Sequence, residues 1–264
     1  MDRSYWHKQT TDKPLFPALL WSRPENRAHA GKLLIVGGNE QGFAAAAEAY
    51  SLAIKAGVGT ARVLLPSALQ KSVGRVFEAG EYAPSTPSGS FAQAALGELL
   101  PMAHWADGTL LAGDLGRNSE TAIVIESFLS KHSGQVTLTK DAIEYITAQP
   151  AIVRERANTL LVLSFSQLQK LAVGLRSPQA ITSDMDLFRT IDVLHLLTTN
   201  HPFTVVTKHL DQLFVAVDGQ VSTLPCAADE RIWRLHRAAA AAVWWLQNPS
   251  KPFEAITTSL VAKN

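Results

Sequence analysis

The chain has 264 residues, of which 47% are hydrophobic, enough for the core of one large α/β domain or two small ones; we favour one. Its 24 Lys and Arg residues nearly balance its 23 Asp and Glu residues, and no basic run is interleaved with aromatic residues, so no nucleic-acid partner is expected. The single cysteine, Cys226, excludes an internal disulfide framework and a cysteine-based zinc site, and it fits a reducing cytosol.

The sequence contains no pattern typical of membrane targeting. The first eight residues lack the apolar core of a signal peptide, and the longest apolar block, residues 238–246, is too short to span a bilayer. We therefore expect a soluble, cytoplasmic protein without a membrane partner.

The first unit along the chain is a strand, a glycine turn, a helix and a second strand. Apolar residues 33–36 predict a buried strand that breaks at Gly37-Gly38, residues 43–55 predict a helix, and residues 62–66 predict the next parallel strand. Such a turn exposes backbone N–H groups at a helix start, where the helix dipole favours negative charge. The turn is a candidate phosphate site, although the same glycines would also serve merely to close it.

The same rhythm of short apolar runs and helical stretches continues along the chain. Further strands are predicted at residues 108–112, 135–139, 159–164 and 203–207, and further helices at residues 120–131, 141–147, 166–173, 184–199 and 238–246. Asp218-Gly219 predicts a β-hairpin between residues 213–217 and 220–224, because Asp-Gly readily adopts the positive φ angles of a two-residue turn. Repeated strand–helix units predict a three-layer α/β/α domain around a mostly parallel central sheet.

In such a sheet, ligands bind beyond the carboxyl ends of the strands. The loops of interest are therefore residues 37–42, 113–116, 139–141, 164–167 and 208–209. The histidines are scattered without the spacing of metal ligands, so we predict no resident metal site.

The order of these motifs resembles the ribokinase-like family of ADP- or ATP-dependent NAD(P)H-hydrate dehydratases, the carboxy-terminal domain of bifunctional nicotinamide nucleotide repair proteins. The matching segments are Gly37-Gly38-Asn39, Gly42-Phe43-Ala44, Ala56-Gly57-Val58-Gly59, Ala112-Gly113-Asp114-Leu115-Gly116, Thr139-Lys140-Asp141-Ala142-Ile143, Lys208-His209 and Pro252-Phe253-Glu254-Ala255. The resemblance covers roughly residues 27–260 and depends on motif order more than on identity. It implies one ribokinase-like domain over residues 1–264, with residues 1–26 as an extension packed on it, and a homo-oligomer.

The resemblance also implies a ligand set. It assigns nucleotide binding to Gly37, Gly38, Asn39, Gly42, Gly113, Asp114, Gly116, Gln167 and Lys208. The implied ligands are ATP or ADP, accompanied by Mg²⁺, and an NAD(P)H-type molecule. In the family's reaction the nucleotide phosphorylates the hydroxyl of hydrated NADH or NADPH, and elimination restores the dihydronicotinamide. Asp114 stands where the family has glycine, so a binding role and a structural role, in a loop with the potential helix-cap residues Asn118 and Ser119, both remain open.

The chain departs from the family at two catalytic segments. Counting back from Pro252 places Arg234-Leu235-His236 where the family has Gly-Ser-Gly-Asp or Gly-Thr-Gly-Asp, and no glycine follows Gly219. Side chains at these positions would obstruct the close backbone approach that a phosphate needs. The family's Thr-Pro-His-x-Gly-Glu loop is also replaced, and its Glu becomes at best Gln167, a neutral amide that cannot act as a base.

Two hypotheses follow. In the first, the protein is an inactive relative that keeps a nucleotide or nicotinamide pocket without dehydratase activity. In the second, it is an active nucleotide-dependent lyase or small-molecule kinase, in which His236 is a catalytic residue that takes a proton and Lys208 binds phosphate. The missing motif favours the first hypothesis, because activity would require two catalytic segments to be replaced together. His236 can instead be an ordinary residue at the start of a helix. A Rossmann-type dehydrogenase is disfavoured, because the second strand ends in Pro66-Ser67 instead of an acid that holds ribose.

Overall fold

A ten-stranded sheet forms the centre of the protein, which a computed structural model describes over residues 3–226 and 233–262. The strands are β1 (Trp6–Lys8), β2 (Lys32–Gly37), β3 (Thr60–Pro66), β4 (Gly80–Ala83), β5 (Gly108–Gly113), β6 (Gln135–Thr139), β7 (Thr159–Ser164), β8 (Thr204–His209), β9 (Gln212–Val217) and β10 (Gln220–Pro225). Their order across the sheet is β1-β10-β9-β8-β7-β6-β5-β2-β3-β4. All neighbouring strands are parallel except β9, which is antiparallel to β8 and β10. The predicted, mostly parallel sheet is confirmed.

Helices cover both faces of this sheet. They are α1 (Pro17–Trp21), α2 (Ala44–Lys55), α3 (Gln70–Val73), α4 (Leu96–Trp105), α5 (Ser119–Lys131), α6 (Ala142–Ala148), α7 (Ala151–Arg154), α8 (Phe165–Gly174), α9 (Leu187–Asn200), α10 (Trp233–Gln247) and α11 (Pro252–Ser259). Because successive strand residues point to opposite faces, Leu33 and Ile35 of β2 join one core with α2, α10 and α11, whereas Leu34 and Val36 join a second core with α4 to α9. The predicted three-layer α/β/α architecture is confirmed.

The predicted hairpin and helices are found with small shifts at their ends. The Asp218-Gly219 turn has the two positive φ angles, 47° and 77°, that the pattern predicts. Helix α9 begins at Leu187, three residues after its predicted start, because the carboxylate of Asp186 accepts the backbone N–H of Arg189 at 2.8 Å and caps the helix there.

Among the elements that the sequence analysis did not predict are the edge strands β1 and β4 and the ten-residue helix α4. Strand β4 has four residues and β1 has three, so neither is long enough to display an alternating pattern; backbone pairing with β3 and β10 defines them. Helix α4 contains Pro101 in its interior. A proline at such a position normally argues against a helix, and here the helix continues through it.

The N-terminal residues contact helices α9 and α11, on the side of the sheet that ends in β10 and β1. The Arg3 guanidinium binds the Asp192 carboxylate of α9 at 2.7 and 2.8 Å, and the Tyr5 ring stacks on His195 with centroids 3.7 Å apart. Farther on, the Gln9 amide donates to the Thr257 carbonyl of α11. These contacts join the start of the described chain to the sheet, while the domain limits stay a prediction.

Helix α10 lies among α2 and strands β5, β6 and β7. Its alanines, residues 238–242, are buried and allow this close approach, and Trp233, Trp244 and Trp245 are buried as well. The first described turn of α10 is thereby positioned near the carboxyl ends of the central strands. No helix in the described part of the chain is long and apolar enough to cross a membrane.

Candidate functional site

A cleft of about 500 Å³ opens where strands β5, β6 and β7 end. We call it the charged cleft; its walls are formed by Asp114, Arg117, Lys140, Asp141, Glu144, Ser164, Ser166, Gln167, Lys170 and Arg234. Four of these side chains are cationic and three are acidic. The loops predicted at residues 113–116, 139–141 and 164–167 meet here, as expected for ligand sites at the carboxyl ends of parallel strands.

The carboxylate of Asp114 occupies the N-terminus of α2. Its Oδ2 atom accepts the backbone N–H of Ala45 at 2.7 Å, and its Oδ1 atom accepts from Lys140 Nζ at 2.9 Å. A negative charge is favourable at a helix N-terminus, where N–H groups lack intrahelical partners. The protein thus places its own carboxylate at the helix start that the sequence marks as a candidate phosphate site.

The glycine turn before α2 uses its backbone N–H groups internally. Gly38 donates to the Gly113 carbonyl, Asn39 and Gly42 donate to each other's carbonyls, Glu40 donates to the Gly89 carbonyl, and Gln41 donates to the Asn39 side chain, all at 2.8–3.1 Å. The Asn39 amide also donates to the Asp114 carbonyl at 2.6 Å. Ligand binding by Gly37, Gly38, Asn39 and Gly42 stays a prediction, and this geometry favours the alternative that the glycines close a tight turn.

Gly37 is required by a close approach of two strands. A Cβ atom on Gly37 would lie 2.5 Å from the Gly113 carbonyl oxygen of β5. By contrast, a Cβ atom on Gly42 would meet nothing within 4 Å. A side chain at Gly37 would therefore clash with the backbone of β5, whereas a side chain at Gly42 would not clash with anything.

Asp141 is held by the loop that follows β5. Its Oδ2 atom accepts the backbone N–H groups of Leu115 at 2.9 Å and Gly116 at 3.2 Å, whereas its Oδ1 atom is inaccessible to solvent and has no hydrogen-bond partner among the described residues. Burial raises the pKa of this carboxyl; the two N–H groups oppose the rise and the nearby Asp114 charge adds to it. Gly113 and Gly116, with φ of 108° and 75°, shape the loop.

Gln167 connects three sides of the charged cleft. Its carbonyl oxygen accepts the Ser164 N–H at 3.1 Å and Arg234 Nη1 at 2.9 Å. Its amide nitrogen donates to the Lys140 carbonyl at 2.9 Å and to Glu144 Oε1 at 2.8 Å. Together with Ser164 it forms a capping box at the start of α8. Gln167 is 5% exposed, so a ligand meets its neighbours more readily than its amide.

Glu144 is the most exposed acid of the cleft. The amide of Gln167 lowers the pKa of the Glu144 carboxyl, and the charges of Lys170 and Arg117 lower it further. Lys170 Nζ lies 3.4 Å from Glu144 Oε2. Arg117 and Lys170 are themselves exposed at the cleft.

The two α10 residues singled out in the sequence lie on different sides of that helix. Arg234 lines the charged cleft and is half-buried, and burial lowers the pKa of its guanidinium. His236 contacts Glu48 of α2 instead, with Nε2 3.0 Å from Oε1. Residues two apart on a helix point about 200° apart, which explains the separation.

Lys208 lies near the end of β8 beside Ser164 in the parallel register. Neither Lys208 nor His236 is among the described residues that line the charged cleft. The structure therefore brings Asp114, Gln167 and Arg234 together at the charged cleft. Gly113 and Gly116 lie in the loop that contains Asp114. The roles predicted for Lys208 and His236 stay predictions.

Several cleft residues received no role in the sequence analysis. Glu144 lies three residues after Asp141, and Lys170 lies three residues after Gln167. Residues at this spacing lie on the same face of a helix. Arg117 directly follows the Gly113–Gly116 loop. Arg117, Glu144 and Lys170 lie four to six residues after a strand end, and charged residues at such positions were the signal that would have identified them. Within residues 3–226 and 233–262, no group of three or more His, Cys, Asp or Glu side chains is arranged to hold a metal ion.

Comparison with solved structures identifies the architecture. No family model and no curated protein matches the chain. A ribokinase-like superfamily protein from Enterococcus faecalis V583 is similar in structure, with a TM-score of 0.72 at 14% identity, over 99% of this chain and 88% of that chain. The protein has a ribokinase-like fold.

Two further solved structures agree with this fold. A hypothetical protein from Streptococcus mutans has a TM-score of 0.70 at 13% identity, over 92% of this chain and 84% of that chain. The ADP/ATP-dependent NAD(P)H-hydrate dehydratase from Bacillus subtilis, co-crystallised with ATP and Mg²⁺, has a TM-score of 0.57 at 12% identity, over 94% of this chain and 86% of that chain. At such identities the ribokinase-like fold is shared, and activity does not follow from it.

Proposed function

We propose that the protein binds a phosphate-bearing small molecule of the nucleotide class in the charged cleft and has little or no dehydratase activity. The observation that carries the binding proposal is the environment of Arg234. This guanidinium enters the cleft, and its hydrogen-bond partner among the described residues is the neutral amide of Gln167. Among the described residues no carboxylate forms an ion pair with this half-buried cation, and Glu144 and Asp141 act on it only from a greater distance. A cation in this setting favours an anionic ligand.

Two exposed cations reinforce this preference. Arg117 and Lys170 line the same cleft, and Lys170 makes only a 3.4 Å contact with Glu144. The hydroxyl groups of Ser164 and Ser166 add neutral hydrogen-bond donors. Cations and hydroxyls arranged around a cleft at strand ends suit the oxygens of a phosphate group.

The inactive half of the proposal follows from the acids and bases of the cleft. A dehydratase of this class needs an anion hole for the transferred phosphoryl group and a base or acid at the substrate hydroxyl. Asp114 fills one helix N-terminus, Asp141 takes the N–H groups of Leu115 and Gly116, and Gln167 is an amide. The backbone N–H groups of Ala45, Leu115 and Gly116 are therefore already bound by the protein's own carboxylates, and Gln167 supplies no base.

The alternative is an active lyase or small-molecule kinase that uses His236 and Lys208. The contact between His236 and Glu48, outside the residues that line the charged cleft, gives this alternative less support. In this alternative the side chains of both His236 and Lys208 would have to reach a ligand in the charged cleft, although neither lines it.

The remaining assignments belong to the same proposal. ATP or ADP and an NAD(P)H-type molecule are the ligands to test, in agreement with the ATP and Mg²⁺ named for the Bacillus subtilis structure. The three cleft carboxylates accept hydrogen bonds from the protein, so Mg²⁺ would accompany the phosphates. A cytoplasmic location and a homo-oligomeric state stay predictions from the sequence.

Calorimetric titration with ADP, ATP and NADH tests the binding half. We expect ADP or ATP to bind and Arg234→Gln to weaken binding about tenfold or more, because a charge-assisted hydrogen bond contributes about 1.5–3 kcal/mol. The matched control is Arg75→Gln, which removes an exposed arginine that does not line the cleft. No binding by the wild-type protein, or equal loss in both variants, would refute the proposal.

Incubation with hydrated NADH and ATP or ADP tests the inactive half. Chromatography of the nicotinamide product is expected to give no turnover above a protein-free control. Turnover that disappears in His236→Ala would establish the alternative instead.

A further inference from the structure

A second cavity of about 380 Å³ adjoins the charged cleft. The two share Arg117, Asp141 and Glu144 in their walls and are therefore immediate neighbours. We call the second cavity the side chamber. Its volume lies within the range of about 300–1,000 Å³ that is usual for small-molecule pockets.

The polar atoms at the inner wall of the side chamber are used by the protein. The Tyr145 hydroxyl donates to the Gly116 carbonyl at 2.6 Å. The Asn118 carbonyl oxygen accepts the N–H groups of Glu120 and Thr121, and its amide nitrogen donates to Ser88. What this wall offers a ligand is therefore the carbon surface of the Tyr145 ring and the methyl group of Ala148.

Charge is confined to the side where the two cavities meet. Arg117 and Glu144 stand at that junction, whereas Tyr145 and Ala148 line the side chamber alone. A molecule that fits both cavities has an anionic end for the cations of the charged cleft and an uncharged end for the chamber. Aromatic side chains favour flat, apolar groups against their faces.

We propose that the ligand carries an uncharged planar ring joined to its phosphate group, and that this ring lies in the side chamber against Tyr145 and Ala148. The inference rests on the proposed function, because it assumes that the charged cleft binds phosphate. It selects ring-bearing phosphates, such as nucleotides, over inorganic polyphosphates and sugar phosphates.

Comparison of ADP with inorganic pyrophosphate tests this inference, since both carry a diphosphate and only ADP carries a ring. By isothermal titration calorimetry, wild-type protein is expected to bind ADP at least tenfold more tightly than pyrophosphate. Ala148 is the exposed last residue of α6, so Ala148→Phe fills the chamber from its rim. This variant is expected to lose at least tenfold in ADP affinity and to keep its pyrophosphate affinity within twofold.

Two controls separate ring exclusion from damage to the fold. Gln149→Phe places the same ring on an exposed neighbour that lines neither cavity, and this variant is expected to bind both probes as the wild type does. If Ala148→Phe has a lowered melting temperature, Tyr145→Phe and Tyr145→Ala are used in its place. Tyr145→Phe keeps the ring and is expected to keep ADP binding. Tyr145→Ala is expected to weaken binding of ADP without weakening binding of pyrophosphate.

The outcomes distinguish this inference from the proposed function. Equal affinities for ADP and pyrophosphate, or an equal effect of Ala148→Phe on both probes, would refute the ring subsite and leave phosphate binding established. Binding of neither probe would refute the proposed function, and the ring subsite with it.

Discussion

Asp114 and Lys140 form an ion pair across the ends of two neighbouring strands, with Oδ1 and Nζ 2.9 Å apart. Both residues have left-handed backbone conformations, with φ of 56° and 55°. Two non-glycine residues in this region at one site are unusual, and such strain is retained where surrounding contacts determine the conformation. Here the pair joins the ends of β5 and β6 and directs the second Asp114 oxygen to the start of α2.

Replacing Asp114 tests whether its carboxylate stabilises α2. Asp114→Ala removes the cap and the ion pair and leaves alanine at a positive φ, so we expect a loss of about 2 kcal/mol in the free energy of unfolding. Asp114→Asn keeps an acceptor oxygen and tolerates this backbone, so we expect a loss of about 1 kcal/mol. Urea denaturation measures both values. A loss below about 0.5 kcal/mol for Asp114→Ala would contradict the capping role.

The two glycines of the turn before α2 give a paired prediction. Gly37→Ala forces a Cβ atom to 2.5 Å from the Gly113 carbonyl oxygen, a backbone atom that cannot move without separating β2 from β5. We expect a loss of about 3 kcal/mol or more, or failure to accumulate soluble protein. Gly42→Ala meets open space, so its melting temperature is expected to stay within a few degrees of the wild-type value.

The same Gly42→Ala variant tests the nucleotide role predicted for the turn. Because the N–H groups of residues 38–42 already have partners, we expect its ADP affinity to equal that of the wild type. A tenfold loss of ADP affinity with unchanged stability would instead support a direct phosphate contact by the turn.

Gln167→Glu restores the acid that the family resemblance implies, and we expect it to destabilise the protein. The new carboxylate would lie beside Glu144, whose Oε1 atom is now 2.8 Å from the Gln167 amide nitrogen, and the Lys140 carbonyl would lose its donor. We expect a loss of about 2 kcal/mol at pH 7.

Part of that loss is expected to return near pH 5, because burial and the neighbouring carboxylate favour the protonated form of the new acid. Urea denaturation of both proteins at pH 5 and pH 7 checks this. Equal stability of Gln167→Glu and wild type at pH 7 would show that Arg234 compensates the added charge.

His132 predicts a pH dependence of stability that arises away from the charged cleft. Burial, together with the charges of Arg156 and His104, lowers the pKa of His132 from 6.5 to about 4. The unfolded chain therefore binds this proton more readily than the folded protein. The stabilisation is complete above about pH 6.5 and is lost as the pH falls from there towards 4.

The expected slope is about 1 kcal/mol per pH unit between pH 6 and 4.5. His132→Phe keeps an aromatic ring stacked on Phe128 and removes the titration. Urea denaturation of the two proteins across this range is expected to give a flatter curve for the variant. Parallel curves would contradict the assignment.

The architecture could be predicted from the sequence because it depends on local patterns. Apolar runs such as residues 33–36 and 159–164 are long enough to indicate buried strands, and the helices between them constrain the sheet to be parallel. Asp218-Gly219 likewise specifies its turn through backbone conformation. Strands β1 and β4 escaped prediction because pairing with a neighbouring strand, rather than their own pattern, defines them.

The site depended on contacts that no local pattern contains. The sequence determined that residues 113–116, 139–141 and 164–167 follow strand ends, and hence that they meet. Only the tertiary structure decided that Asp114 caps α2, that Gln167 binds Arg234 across the cleft, and that His236 contacts Glu48 instead. The partners in these hydrogen bonds are 67 to 188 residues apart, so the packing of α2, α8 and α10 on the sheet determines them.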